Sequence, residues 1–102
     1  MDTVLMASEN TMRMISSISD FDSLRIFETL AECDRSDKKL AEMLGLDLES
    51  VHQKTEAMEQ AGLVISCDED DYIDYMLDAK QVAILTGYFQ LILGKCSPPK
   101  CC

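Results

Sequence analysis

Two groups of side chains in this sequence have types and spacings that could do chemistry. The first is Cys96, Cys101 and Cys102, a C-x4-C-C cluster on a stretch bent by Pro98 and Pro99. Thiolates select soft metals and metalloids, so three on one short loop could converge on such an ion or respond to oxidation. The plain alternative is a tail whose thiols have no task. The second group is Lys38, Lys39, Ser50, His52, Gln53 and Lys54. Lysines can meet phosphate, and the hydroxyl, imidazole and amide groups can hydrogen-bond base edges. His52 can equally be an exposed histidine without a function, and the two adjacent lysines can simply keep a helix soluble. Nucleophilic catalysis finds no support. The single histidine has no Ser or Cys partner in a recognisable pattern, and no Gly-rich phosphate loop occurs. The carboxylates fall on solvated turns and faces, where nothing would raise a pKa for acid catalysis. No enzyme is expected.

The second group depends on the stretch from Lys38 to Val64. Leu40, Ala41 and Leu44 lie on one face of a short helix, which Gly45 can stop in a left-handed conformation. Asp47 can cap a second helix, on which Val51, Thr55 and Met58 repeat at i, i+4 and i+7 until Gly62. Two helices around a short Gly-containing turn form a helix-turn-helix pattern, whose second helix can enter the DNA major groove.

The flanks complete the pattern. Met1 to Ser17 reads as a helix carrying Val4, Leu5, Met12, Met14 and Ile15, and another begins at Ser19 or Asp20. The second presents Phe21, Leu24, Phe27, Leu30 and Ala31 as its expected inner side, and Ser36 is positioned to cap the helix that follows. After Gly62 the period becomes alternating: Leu63 to Ile65 reads as a strand, Asp68 to Asp71 as a turn, and Ile73, Tyr75 and Leu77 as one face of a returning strand. Asp78 and Gln81 are spaced as a capping box for a last helix, apolar nearly all round, that Gly94 ends. The predicted fold is mostly α with a small β-hairpin: a winged helix-turn-helix, residues 1–94, with a Cys-rich tail at 95–102. Its first and last helices would pack across the two-fold axis of a homodimer.

At 102 residues the chain makes one domain, and its formal net charge is −10. Such a field repels nucleic acid and acidic membranes within about 8 Å at physiological salt. No apolar run is long enough to span a membrane. The acidic N-terminus lacks the basic region of a signal peptide, so a cytoplasmic location is expected, with the five cysteines reduced. Cys33 and Cys67 are expected to be packing residues.

The order of elements resembles the ArsR/SmtB family of dimeric winged-helix repressors. The residues that carry the resemblance are Leu24-Arg25-Ile26-Phe27, Leu40-Ala41-Glu42 through Gly45-Leu46, Val51, Ala61-Gly62-Leu63-Val64 and Tyr75-Met76-Leu77. It implies a homodimeric transcriptional regulator with two recognition helices about 34 Å apart. Two features depart from the family pattern. The recognition helix carries Asp47, Glu49, Glu56 and Glu59 against Lys54, and the wing, usually basic or glycine-rich, reads Asp68-Glu69-Asp70-Asp71. An acidic wing forfeits the counterion release that drives phosphate binding. Ser36-Asp37-Lys38 stands where some metalloid sensors have Cys-x-Cys, and the last helix has no histidine for a zinc site. The tail cysteines resemble the terminal clusters of some arsenic-responsive members, so a soft metal or metalloid is the implied effector. The alternative reading is an acidic interaction module, an anti-repressor or DNA mimic, that binds a basic protein instead of DNA.

Overall fold

The computed structural model describes residues 8–95. The predicted helix before Glu9 and the cluster of Cys96, Cys101 and Cys102 lie outside them. Helix α1 spans Glu9–Ser17, capped by Ser8, whose hydroxyl accepts from the Thr11 N–H. Helix α2 spans Phe21–Glu32, with Asp20 accepting from the Ser23 N–H. Helix α3 (Asp37–Leu44) starts on Ser36 and ends at Gly45, which takes φ 68°. Helix α4 (Leu48–Gln60) starts on Asp47. Each start places a short oxygen acceptor on an N–H that has no partner within its own helix. After α4, Gly62 at φ 90° turns the chain into the hairpin.

Strand β2 (Val64–Asp68) pairs antiparallel with β3 (Ile73–Leu77), Ser66 opposite Tyr75. The strand therefore runs three residues past the expected Ile65, and Glu69 N–H donates to the Tyr72 carbonyl to close the turn. The hairpin has a third neighbour absent from the sequence reading. Strand β1, Arg35–Ser36, pairs with the other edge of β3 and gives the order β1-β3-β2. Two residues have too short an alternation to be recognised as a strand.

One core joins the layers. Met14 of α1, Ile26 and Leu30 of α2, Leu40 of α3, Val51 and Met58 of α4, Leu63, Val64 and Tyr75 of the hairpin region, and Leu85 of the last helix are buried together. Thr55 sits fully buried on the same face as Val51 and Met58, its hydroxyl donating to the Val51 carbonyl at 2.7 Å. The expected inner face of α2 is shifted. Phe21, Leu24 and Ala31 are exposed, while Ser23, Ile26 and Leu30 face inward. Phe21 instead lies under the Arg25 guanidinium, 5.2 Å from its ring centre. Cys33 and Cys67 are also exposed, contrary to their expected packing role.

Helix α5 spans Ala79–Lys95. The expected capping box is half formed. Asp78 accepts from Lys80 N–H, but Asp78 N–H donates to the Leu63 carbonyl and the Gln81 side-chain Oε1 accepts from the Asn10 side-chain amide of α1. Gln81 thus joins the terminal helices instead of closing a cap. Within the single chain, Leu85 is the buried residue of α5, whereas Ile84, Phe89, Leu91 and Leu93 are exposed, as is Met12 of α1.

Candidate nucleic-acid interface

Helix α4 holds most of the sequence-predicted contact residues because Val51, Thr55 and Met58 turn one face into the core and leave the others outside. The outer residues are not equally available. Ser50 lies in the first turn, and its hydroxyl donates to Asp47 Oδ1 at 2.7 Å. Gln53 is exposed. Lys54 reaches back to α2, its Nζ 3.0 Å from Asp20 Oδ2. On α3, Lys38 is exposed and Lys39 lies 3.5 Å from Glu42. Arg13, Arg25 and Arg35 also pair with acids of their own helices or flanks, at 3.1 to 3.6 Å. So most cations among the described residues already face a carboxylate, which lowers what remains for phosphate.

His52 has a partner that sequence reasoning missed. Its Nε2 lies 2.7 Å from Oδ2 of Asp37, whose side chain is only 4% exposed. The other oxygen, Asp37 Oδ1, accepts from the backbone N–H groups of Lys38, at 2.7 Å, and Ile73, at 3.3 Å. Burial pushes the Asp37 pKa up, but the His52 hydrogen bond and the two N–H donors outweigh it and hold the carboxyl below its ordinary value. One buried carboxylate therefore joins the start of α3, the middle of α4 and the start of β3. The His52 side chain remains 41% exposed and is oriented by this contact. The available signal was a carboxylate in the first turn of a helix beginning beside a strand, which no spacing rule pairs with a histidine fifteen residues on.

Between α4 and the wing lies an open cleft of about 360 Å³, lined by His52, Glu56, Glu59, Asp68, Ile73 and Tyr75 among others. Glu59 accepts from the Ser66 hydroxyl at 2.8 Å, so helix and wing are joined there too. Tyr75 closes the cleft floor, and burial raises its phenol pKa. At the wing, Cys67 donates to Glu69 Oε2 at 3.4 Å, and that hydrogen bond with the charge of the same carboxylate raises the thiol pKa. A raised pKa opposes thiolate formation at Cys67. Among the described residues, no three His, Cys, Asp or Glu side chains stand close enough to hold a metal ion. No helix among them is long and apolar enough to cross a membrane.

No family model matches the sequence, and no curated protein does. Solved structures do. The solution structure of a homodimeric winged helix-turn-helix DNA-binding domain from Mycobacterium bovis, described as a possible ArsR-family transcriptional regulator, superposes with a TM-score of 0.67 at 21% identity, covering 88% of this chain and 92% of that one. An ArsR-like transcriptional regulator from Rhodococcus sp. RHA1 gives a TM-score of 0.72 at 20% identity over 84% of this chain and 81% of its own. Reduced HlyU from Vibrio cholerae gives 0.67 at 19% identity, over 86% and 90%. At these identities the likeness concerns architecture, and the architecture of this chain is the winged helix-turn-helix of ArsR-type regulators.

Proposed function

We propose that the chain is a dimeric transcriptional regulator that meets duplex DNA through α4. One observation carries the reading. A helix-turn-helix with a following wing is joined to a last helix whose Ile84, Phe89, Leu91 and Leu93 lie uncovered on the single chain. A second copy, packing its own α1 and α5 there, buries those side chains and sets two recognition helices side by side. Lys38, Ser50, His52 and Gln53 are the contact residues this arrangement offers, with Lys39 and Lys54 available only if they leave Glu42 and Asp20. Control by a soft metal, a metalloid or oxidation at Cys96, Cys101 and Cys102 completes the proposal and rests on thiol chemistry and spacing alone.

A second reading is favoured by the charge. Glu56 and Glu59 on α4 and Asp68 on the wing line the cleft with His52, and Glu49, Glu69, Asp70 and Asp71 add exposed carboxylates on the same helix and hairpin. That surface suits a basic protein partner better than phosphate. One experiment separates the two. The purified protein is sized by light scattering, then used to capture ligands from a pool of random duplex DNA and from a cell extract at 150 mM salt. A dimer that enriches particular DNA sequences supports regulation by direct binding. A dimer that enriches no DNA and retains a basic protein supports the acidic module. A monomer at micromolar concentration refutes the first proposal at its base. Replacing the three tail cysteines with Ser should abolish any arsenite response, and an unchanged response removes them as the sensor.

A further inference from the structure

We infer that Asp37 makes His52 a reader of base amino groups by fixing which ring nitrogen carries the proton. The inference rests on the reading of α4 as the DNA-contacting helix. Asp37 Oδ2 stands 2.7 Å from His52 Nε2, and a carboxylate can only accept. The neutral imidazole therefore keeps its proton on Nε2, and Nδ1 is left bare as an acceptor. No hydrogen bond from a described residue reaches Nδ1, and the side chain is 41% exposed on α4. In the major groove the donors that match a bare acceptor are adenine N6 and cytosine N4, while guanine and thymine present oxygen acceptors. A carboxylate behind an imidazole is a known way of fixing its tautomer. The second oxygen makes the orientation rigid. Asp37 Oδ1 is held by the Lys38 and Ile73 N–H groups, so the carboxylate cannot rotate without releasing two backbone donors.

The arrangement makes a sharp statement about Asp37→Asn. The amide oxygen of the variant must stay on the two N–H groups, so its NH2 faces His52 Nε2. That nitrogen must then accept, and the ring proton moves to Nδ1. The one-atom change inverts His52 Nδ1 from acceptor to donor without altering the contacts of the backbone. Asp37 is thus a positioning residue, acting on DNA through His52.

Two measurements at pH 8.5 test this, with the full chain and its Asp37→Asn and His52→Ala variants. Nitrogen-detected NMR of the imidazole should find the His52 proton on Nε2 in the parent protein and on Nδ1 in Asp37→Asn. Selection from random duplex DNA should give a preference of about fivefold for an adenine or cytosine amino group at one position of each half-site. That preference should move to guanine or thymine with Asp37→Asn and vanish with His52→Ala, whose side chain is partly exposed and lies outside the hydrophobic core. A proton on Nδ1 in the parent protein overturns the inference. A proton on Nε2 with selected DNA whose sequence is identical for all three proteins overturns it as well. A proton on Nε2 with no DNA selected overturns the DNA-binding reading and, with it, the assignment of a base. If Asp37→Asn fails to fold, the parent tautomer and the loss of preference in His52→Ala still decide the question.

Discussion

Lys54 Nζ lies 3.0 Å from Asp20 Oδ2, so a cation of α4 is held by the residue that caps α2. Asp20 also accepts from the Ser23 N–H, and the hydrogen bond to Ser23 and then the one from Lys54, against the opposing effect of burial, lower its pKa from 3.8 to about 2. The folded state therefore prefers the ionised form. Its contribution is complete above the ordinary carboxylate value and disappears as pH falls from about 4 through about 2. Half of the carboxylate is exposed, which screens the ion pair, so Asp20→Asn should cost about 0.5 kcal/mol at pH 7. Asp20→Ala removes the cap as well and should cost about 1 kcal/mol. Urea melts at pH 7 and pH 2 should show both differences shrinking at the lower pH. A penalty equal at the two pH values would contradict the assignment.

The uncovered face of α5 predicts how the proposed dimer can be broken. Leu91 and Leu93 are 59% and 71% exposed in the single chain. Replacing both with Glu should turn a dimer into a monomer in light scattering, while far-ultraviolet circular dichroism keeps the helical signal of the remaining elements. Retention of the dimer would mean that another surface joins the two copies.

Charge on the wing predicts the salt behaviour. Asp70 and Asp71 are exposed at the hairpin tip. Changing both to Lys reverses the local field and offers two phosphate contacts. Affinity for random duplex should rise, and log K against log salt should steepen by about 0.9 for each phosphate neutralised. Fluorescence anisotropy from 50 to 300 mM salt measures this. An unchanged slope would place the wing away from the backbone.

Met58 carries the packing prediction. It is fully buried between α4 and the rest of the core, so Met58→Ala leaves a cavity. The expected loss is about 2–5 kcal/mol. By contrast Met43→Ala, at a half-exposed position of α3, should change stability by less than about 0.5 kcal/mol. Thermal unfolding of the two variants compares them directly.

Local chemistry made much of this fold legible. Ser36 and Asp47 cap the helices they were positioned to cap, Asp20 caps the helix expected to begin at Ser19 or Asp20, and Gly45 adopts the left-handed turn between α3 and α4. These features depend on a few neighbouring residues, which a sequence displays. The misjudged features depend on contacts between distant parts of the chain. Phe21 is an apolar residue at the start of α2, but its ring serves Arg25 instead of the core. Gln81 has the spacing of a cap and bonds to Asn10 instead, seventy-one residues earlier. The two residues of β1 become a strand only because β3 lies beside them. At the candidate interface, α4 and its outward residues were evident from the period of Val51, Thr55 and Met58. The hold of Asp37 on His52 was not, because it appears only once the hairpin brings Ile73 against the start of α3.

Leu85 alone among the seventeen residues of α5 is buried within the described residues of one chain. A helix so apolar and so little covered draws most of its stability from whatever closes over it. If that cover is a second copy, the ordering of α5 and association become one equilibrium, and the midpoint of thermal unfolding climbs with protein concentration. The abundance of the protein in a cell would then set the fraction of it that is in working form, so a fall in synthesis would cut activity more steeply than it cuts the number of molecules.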